Sequence, residues 1–187
     1  MSTQVKVDEK SNEITALPEL LRCLAISGCI VTIDAMGCQR GIASQILDQG
    51  GDYVLALKGN QGTLQQDVED SFGQAERSGF AAVAHDYAEA VNKGHGRIEL
   101  RKSWVIRDDE VMGWINSGHK WPGLAAIGMV QAERRIGPKV EQERRYYLLS
   151  RALPASEFGA AVRSHWGIEN RVHWVLDMAF HEDASRI

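Results

Sequence analysis

The sequence predicts an α/β protein, and three observations carry that expectation. Two short apolar runs, Cys29-Ile30-Val31-Thr32-Ile33 and Asp52-Tyr53-Val54-Leu55-Ala56-Leu57, alternate with helical patterns. Strand-like patterning then takes over near 96 to 106, 124 to 133 and 143 to 149. Finally, Pro154 opens a long helical pattern that runs to about residue 178. Helix, strand, helix, strand implies parallel pairing of the first two strands.

Taken in order, residues 3 to 7 alternate polar and apolar and fit a short strand. Leu17 to Leu24 reads as a helix with Pro18 in its first turn, where a missing N–H does no harm. The run 29 to 33 is β-branched and apolar on both faces, the pattern of a central strand covered on both sides. Gln39 to Gln49 places Ile42, Ile46 and Leu47 on one helical side and ends at Gly50-Gly51. The second apolar run, 52 to 57, is the next strand, and a polar helix follows over roughly 62 to 77.

Composition excludes several classes. With 187 residues, 44% hydrophobic and 25% charged, the chain is long enough for a real core. No apolar stretch approaches the roughly 18 residues of a membrane span, and the polar start is unlike a signal peptide, so a cytoplasmic location is expected. Cys23, Cys29 and Cys38 lack CxxC spacing and are read as reduced, mostly packed thiols, not as a disulfide framework or zinc site. The formal net charge of -4 weighs against nucleic-acid binding by the chain as a whole. Lys58-Gly59-Asn60-Gln61 lacks the Gly-Lys-Ser/Thr ending of a phosphate-binding loop, so no nucleotide site is expected.

Two carboxylates stand out. Asp34 follows the first apolar strand at its carboxyl end, the edge at which ligands bind in open α/β sheets; a turn-forming Asp that caps the next helix is the alternative. Glu169 is placed by helical geometry at 100° per residue. Phe158, Val162, Trp166, His173, Leu176 and Phe180 all fall within about 60° of it, so the carboxylate interrupts an apolar stripe. A buried carboxylate costs several kcal/mol unless it is paired or bound to metal. Either a salt bridge to the sheet or shared divalent metal satisfies it, and a metal pair about 4 Å apart supports phosphoryl transfer.

The segments Val31-Thr32-Ile33-Asp34-Ala35-Met36-Gly37-Cys38-Gln39 and His165-Trp166-Gly167-Ile168-Glu169-Asn170, continuing through His173-Trp174-Val175-Leu176-Asp177, closely resemble insertion-sequence DDE transposases of the H-repeat-associated, ISAs kind. Lys10-Ser11-Asn12-Glu13-Ile14, the run from Asp52 to Gln61, and His95-Gly96-Arg97-Ile98-Glu99 extend the likeness over nearly the whole chain.

The resemblance implies an RNase H-like core in which two Asp and one Glu hold two Mg²⁺ (or Mn²⁺) ions. Asp34 is then the second and Glu169 the third of these catalytic, metal-binding residues. The first Asp is expected upstream of the Lys10 segment, so a partial core lacking its first strands, and an inactive isolated chain, are expected. Residues 1–61 are the first part of the core, 62–151 an insertion of a helix and then mostly strands, and 152–187 the return with the catalytic helix. Val162, His165 and Leu176 depart from the Tyr, Arg and Lys of the related signature on that helix, and Arg163, about 120° around from Glu169, does not replace them.

The implied partner is DNA, both transposon ends and target, with a homo-oligomer as a further expectation and no membrane or small-molecule cofactor. Residues expected to contact DNA are Lys58, Asn60, Gln61, His95, Arg97, Arg101 and His165. Lys93, Arg97, Arg101, Lys102 and Arg107 outnumber the single acid Glu99 in their stretch and suggest a basic ribbon along phosphates; a solvated strand face is the alternative. Arg134, Arg135, Lys139, Arg144 and Arg145 are diluted by Glu133, Glu141 and Glu143 and read as surface. A non-catalytic DNA-binding or oligomerising remnant and an unrelated RNase H-like nuclease are the rival functions.

Overall fold

In the computed structural model the described residues are 13–94, 97–136 and 139–168. Their backbone forms five helices and six strands: α1 (Glu13–Cys23), β1 (Ile30–Ile33), α2 (Arg40–Asp48), β2 (Asp52–Leu57), α3 (Gly62–Arg77), β3 (His85–Gly94), β4 (Arg97–Ile106), α4 (Asp109–His119), β5 (Ala126–Ile136), β6 (Lys139–Leu149) and α5 (Ala155–Ile168). The strands make one mixed sheet in the order β1-β2-β6-β5-β4-β3. Only β1 and β2 run parallel, in the register Ile33 opposite Leu55, and β6 returns antiparallel to β2 with Leu55 opposite Leu148. The helical connection through α2 permits the parallel arrangement of β1 and β2.

Alternation along the strands builds two cores. Tyr53, Leu55 and Leu57 join Leu148, Ile127, Met129 and Ile106 on one face, where Ile42 and Ile46 of α2, Leu64, Val68 and Phe72 of α3 and Ile115 of α4 cover them. On the other face Val54, Val105, Val130, Tyr147 and Leu149 meet Phe158 and Val162 of α5. Among the described residues the result is a sheet between a layer of helices and one crossing helix.

Three expectations are corrected. β1 is the end strand among the described residues, and all four of its residues are half-buried. An apolar strand is fully buried only where both faces are covered along its length; among the described residues α5 meets β1 where His165 bonds to Thr32. Pro18 sits inside α1 and not in its first turn, because Glu13 and Ile14 extend the helix backward; its carbonyl accepts the Gln45 side-chain amide at 2.8 Å. Of the three thiols only Cys38 is buried, whereas Cys23 and Cys29 are exposed, Cys29 because it precedes the strand. The strand expected over residues 3 to 7 lies outside the described residues.

Candidate functional site: the carboxyl end of β1

Parallel pairing delivers the ends of β1 and β2 to the same edge of the sheet, so the segments after Ile33 and Leu57 are neighbours. Asp34 opens the first. Its Oδ1 accepts the backbone N–H groups of Met36 at 3.1 Å and Gly37 at 3.3 Å, while Cys38 donates to the Ala35 carbonyl at 3.3 Å. The turn-forming alternative is therefore realised with one oxygen, and among the described residues no hydrogen bond ends on Oδ2. The carboxylate does not cap α2, whose N-cap is Gln39.

The turn is packed tightly beneath. A Cβ on Gly37 would collide with Ile33 Cγ2 and lie 2.9 Å from Leu17 Cδ2, which leaves room for glycine alone. Cys38 is fully buried, and burial, with a smaller contribution from the Asp34 charge, pushes its thiol up to about 12. It remains protonated at neutral pH, which argues against a nucleophilic role.

A small cleft opens beside Asp34, lined by Thr32, Ile33, Val54, Ala56, Tyr147, Val162 and His165. Two elements meet there: the Thr32 hydroxyl of β1 and His165 Nδ1 of α5 share a hydrogen bond at 3.3 Å. α5 is held across the sheet at its other end as well, because Asp86 Oδ2 of β3 accepts the Ala155 N–H at 2.8 Å. Between these anchors the Phe158 ring rests on Gly128, where an added Cβ would lie 2.5 Å from the ring. Phe158 and Val162, two members of the predicted apolar stripe, are buried. Glu169 lies outside the described residues, as do the side chain of Trp166 and residues His173, Leu176 and Phe180.

The remaining expected residues separate into groups. Lys58 and Asn60 are exposed after β2. The Asn60 side-chain N–H donates to the Ala35 carbonyl at 2.7 Å, and that of Gln61 to the Cys38 carbonyl at 3.0 Å. Arg97 and Arg101 occupy same-parity positions of β4, on the strands remote from β1. Arg101 binds Glu99 at 2.8 Å, and His95 lies outside the described residues. Arg135, Lys139 and Arg145 pair with Glu133, Glu141 and Glu143, each two positions away on the same strand face, and Arg144 pairs with Glu76 of α3 at 3.0 Å. Most of the cationic charge of that second cluster is thus matched by neighbouring carboxylates.

Thr32 and Asp86 were not singled out by sequence. Thr32 had a usable signal as the one hydroxyl in an apolar strand. Asp86 had none, since the helix it caps begins 69 residues later.

Among the described residues no group of three or more His, Cys, Asp or Glu side chains gathers to hold a metal ion. The donor set present at the β1 end is a half-buried carboxylate with one oxygen outside the turn's hydrogen bonds, beside a hydroxyl. Such hard oxygen donors fit Mg²⁺, which binds through one or two carboxylates and keeps several waters.

The profile of the family described as "Transposase DDE domain" matches residues 1–187. The "H repeat-associated putative transposase YhhI" of Escherichia coli K12 is 42% identical over 98% of this chain and 48% of its own length. The "Putative transposase YncI" of Escherichia coli O157:H7 is 41% identical over 98% of this chain and 47% of its own. An uncharacterized protein encoded 3′ of dhlA in Xanthobacter autotrophicus is 46% identical over 79% and 48% respectively. The chain therefore spans about half the length of the curated relatives it matches. No solved structure matches it. No described helix is long and apolar enough to cross a membrane.

Proposed function

The chain belongs to the DDE-domain transposase family, and from that premise we propose that it contributes to a catalytic domain that cuts and joins DNA. The observation that carries this reading is the meeting of β1 and α5. Asp34 ends the strand, and His165, four residues before Glu169, bonds to Thr32 in the same cleft. On this reading β1, α2 and β2 belong to an RNase H-like core, with residues 62–151 inserted before the catalytic helix.

Asp34 Oδ2 and the Glu169 carboxylate are the proposed ligands for Mg²⁺ or Mn²⁺. Bound there, the cations would lower the pKa of an attacking hydroxyl and stabilise a leaving phosphate oxygen. The chain's own residues do the positioning. The turn holds Asp34 through Oδ1, the Thr32–His165 bond fixes α5 against β1, and the apolar wall of Val54, Ala56 and Val162 limits water on one side of the carboxylate. Lys58, exposed at the same edge, and the more remote Arg97, Arg101 and His95 are the proposed phosphate contacts; a homo-oligomer on transposon ends is the proposed assembly.

Mn²⁺ titration of the 187-residue chain followed by electron paramagnetic resonance tests the ligand assignment. Asp34→Ala and Glu169→Ala should each weaken binding by about tenfold or more. Equal affinity in wild type and both variants would overturn it. The first carboxylate of the family triad is assigned upstream of Lys10, so these residues assayed alone should join no transposon ends. Mg²⁺-dependent joining by them, abolished by Asp34→Ala, would show that the first carboxylate too is supplied from within these residues.

A further inference from the structure

We infer that Asn60 and Gln61 are positioning residues that clamp the Asp34 turn, so that their role is exerted through the carboxylate and not through direct contact with DNA. The two side chains grip opposite ends of one turn. Asn60 Nδ2 donates to the Ala35 carbonyl at 2.7 Å and Gln61 Nε2 to the Cys38 carbonyl at 3.0 Å. Both partners are acceptors only, so each carboxamide must present its NH₂ to the turn, and that donor is committed.

The Ala35 carbonyl also accepts the Cys38 N–H that closes the turn, using both of its lone pairs. Inside the same turn, the Met36 and Gly37 N–H groups hold Asp34 Oδ1. The chain of bonds therefore runs from the segment after β2, through the turn backbone, to one carboxylate oxygen.

The need for such a clamp follows from the local backbone. β1 is only four residues long and half-buried, and Met36 at the tip of the turn is 47% exposed. A short, half-buried strand followed by an exposed turn is prone to local opening. β2, by contrast, is paired on both sides and its Val54 and Leu55 are buried. Gln61 is itself fixed by its N–H to the Lys58 carbonyl at 2.9 Å. The clamp ties the less constrained strand end to the more constrained one, which keeps Oδ2 in one place while Oδ1 is occupied.

The functional meaning of a fixed Asp34 rests on the metal-binding reading above, and the test separates the two. Asn60→Leu and Gln61→Met, singly and together in the 187-residue chain, keep the side-chain volume and remove the donors. Amide hydrogen exchange resolved at single residues is the primary readout. In the double variant the Met36 and Gly37 amides should exchange about tenfold faster, while Ile46 of α2 and Leu55 of β2 keep wild-type protection and so report an intact fold. Unchanged exchange at Met36 and Gly37 overturns the clamp, whatever the variants do to DNA affinity. Mn²⁺ affinity is the second readout, and a loosened turn should weaken it. If the wild type shows no Asp34-dependent Mn²⁺ binding, the metal reading falls, while the exchange rates still decide whether Asn60 and Gln61 hold the turn.

Discussion

Single residues at two glycines set how closely the layers approach. Gly37 lets the Asp34 turn settle on Ile33 and Leu17, and Gly128 lets the Phe158 ring lie flat on β5. The second is the better experimental handle, because it is away from the carboxylate. A methyl group at Gly128 would meet three ring atoms at 2.5 to 2.9 Å, and the ring is not free to swing aside, since it packs edge-on against Tyr147 with centroids 5.3 Å apart. Gly128→Ala should therefore lift α5 and lower stability by about 1–3 kcal/mol, read as a shift in the urea midpoint without a change in slope. An unaltered midpoint would mean that α5 does not rest on β5 in solution. Asp34 is a different case: sequence alone left it between turn former and ligand, and the turn takes up Oδ1 alone. Spacing identifies the residue but not which oxygen is spent on backbone N–H groups, because that depends on the conformation of Met36 and Gly37.

Elements were legible in proportion to how much of their stability is local. β2 and α3 were read at 52 to 57 and about 62 to 77, where they are found, because a short apolar run and an amphipathic helix announce themselves. β3, His85-Asp86-Tyr87-Ala88-Glu89-Ala90-Val91-Asn92-Lys93-Gly94, was missed: Ala, Asn, Lys and Gly are poor strand formers. It exists through ten consecutive pairings with β4 and the Tyr87–Trp104 contact, with ring centroids 5.1 Å apart. α4 was missed because Gly113 and Gly118 dilute its pattern, although Asp108, whose carboxylate accepts from Glu110 and Val111, was a visible N-cap. The Asp86 cap on α5 yields a prediction at this scale. Asp86→Ala should cost about 1 kcal/mol, and the loss should depend on pH. Chiefly the Ala155 N–H, then that of Tyr87, holds the Asp86 carboxyl below its ordinary value of 3.8. A depressed folded-state pKa means that the stabilisation is fully present above the ordinary value and fades as pH falls through the folded one. The stability difference between wild type and Asp86→Ala should thus be constant from neutrality to about pH 5 and shrink below about pH 4. A difference that persists undiminished in acid would mean that the bond to Ala155 contributes nothing.

For the molecule as a whole, the sequence suggested a core interrupted by a mostly β section, expected over residues 62–151. What patterning does not carry is how the section is joined to the rest, because strand pairing between distant segments leaves no local mark. Here β6 pairs directly with β2, so strands from both sides of the division share one sheet. α5 then crosses that sheet, touching β3 through Asp86, β4 where Gly159 meets Ser103, β5 at Gly128 and β1 through Thr32. The core on the opposite face is likewise mixed, with Ile42 and Leu55 in the same cluster as Phe72, Ile106 and Ile115. Separating the section from the core would expose both apolar faces and strip β2 of its antiparallel partner. Neither part has a substitute for those contacts among the described residues. The chain should consequently unfold in a single transition, with urea midpoints from far-ultraviolet circular dichroism and from tryptophan fluorescence, to which the buried Trp121 contributes, coinciding. Two separated midpoints would require the β section to fold without α5. In that case the Asp86 cap would join two independent units and would no longer belong to one continuous frame that positions the Asp34 edge.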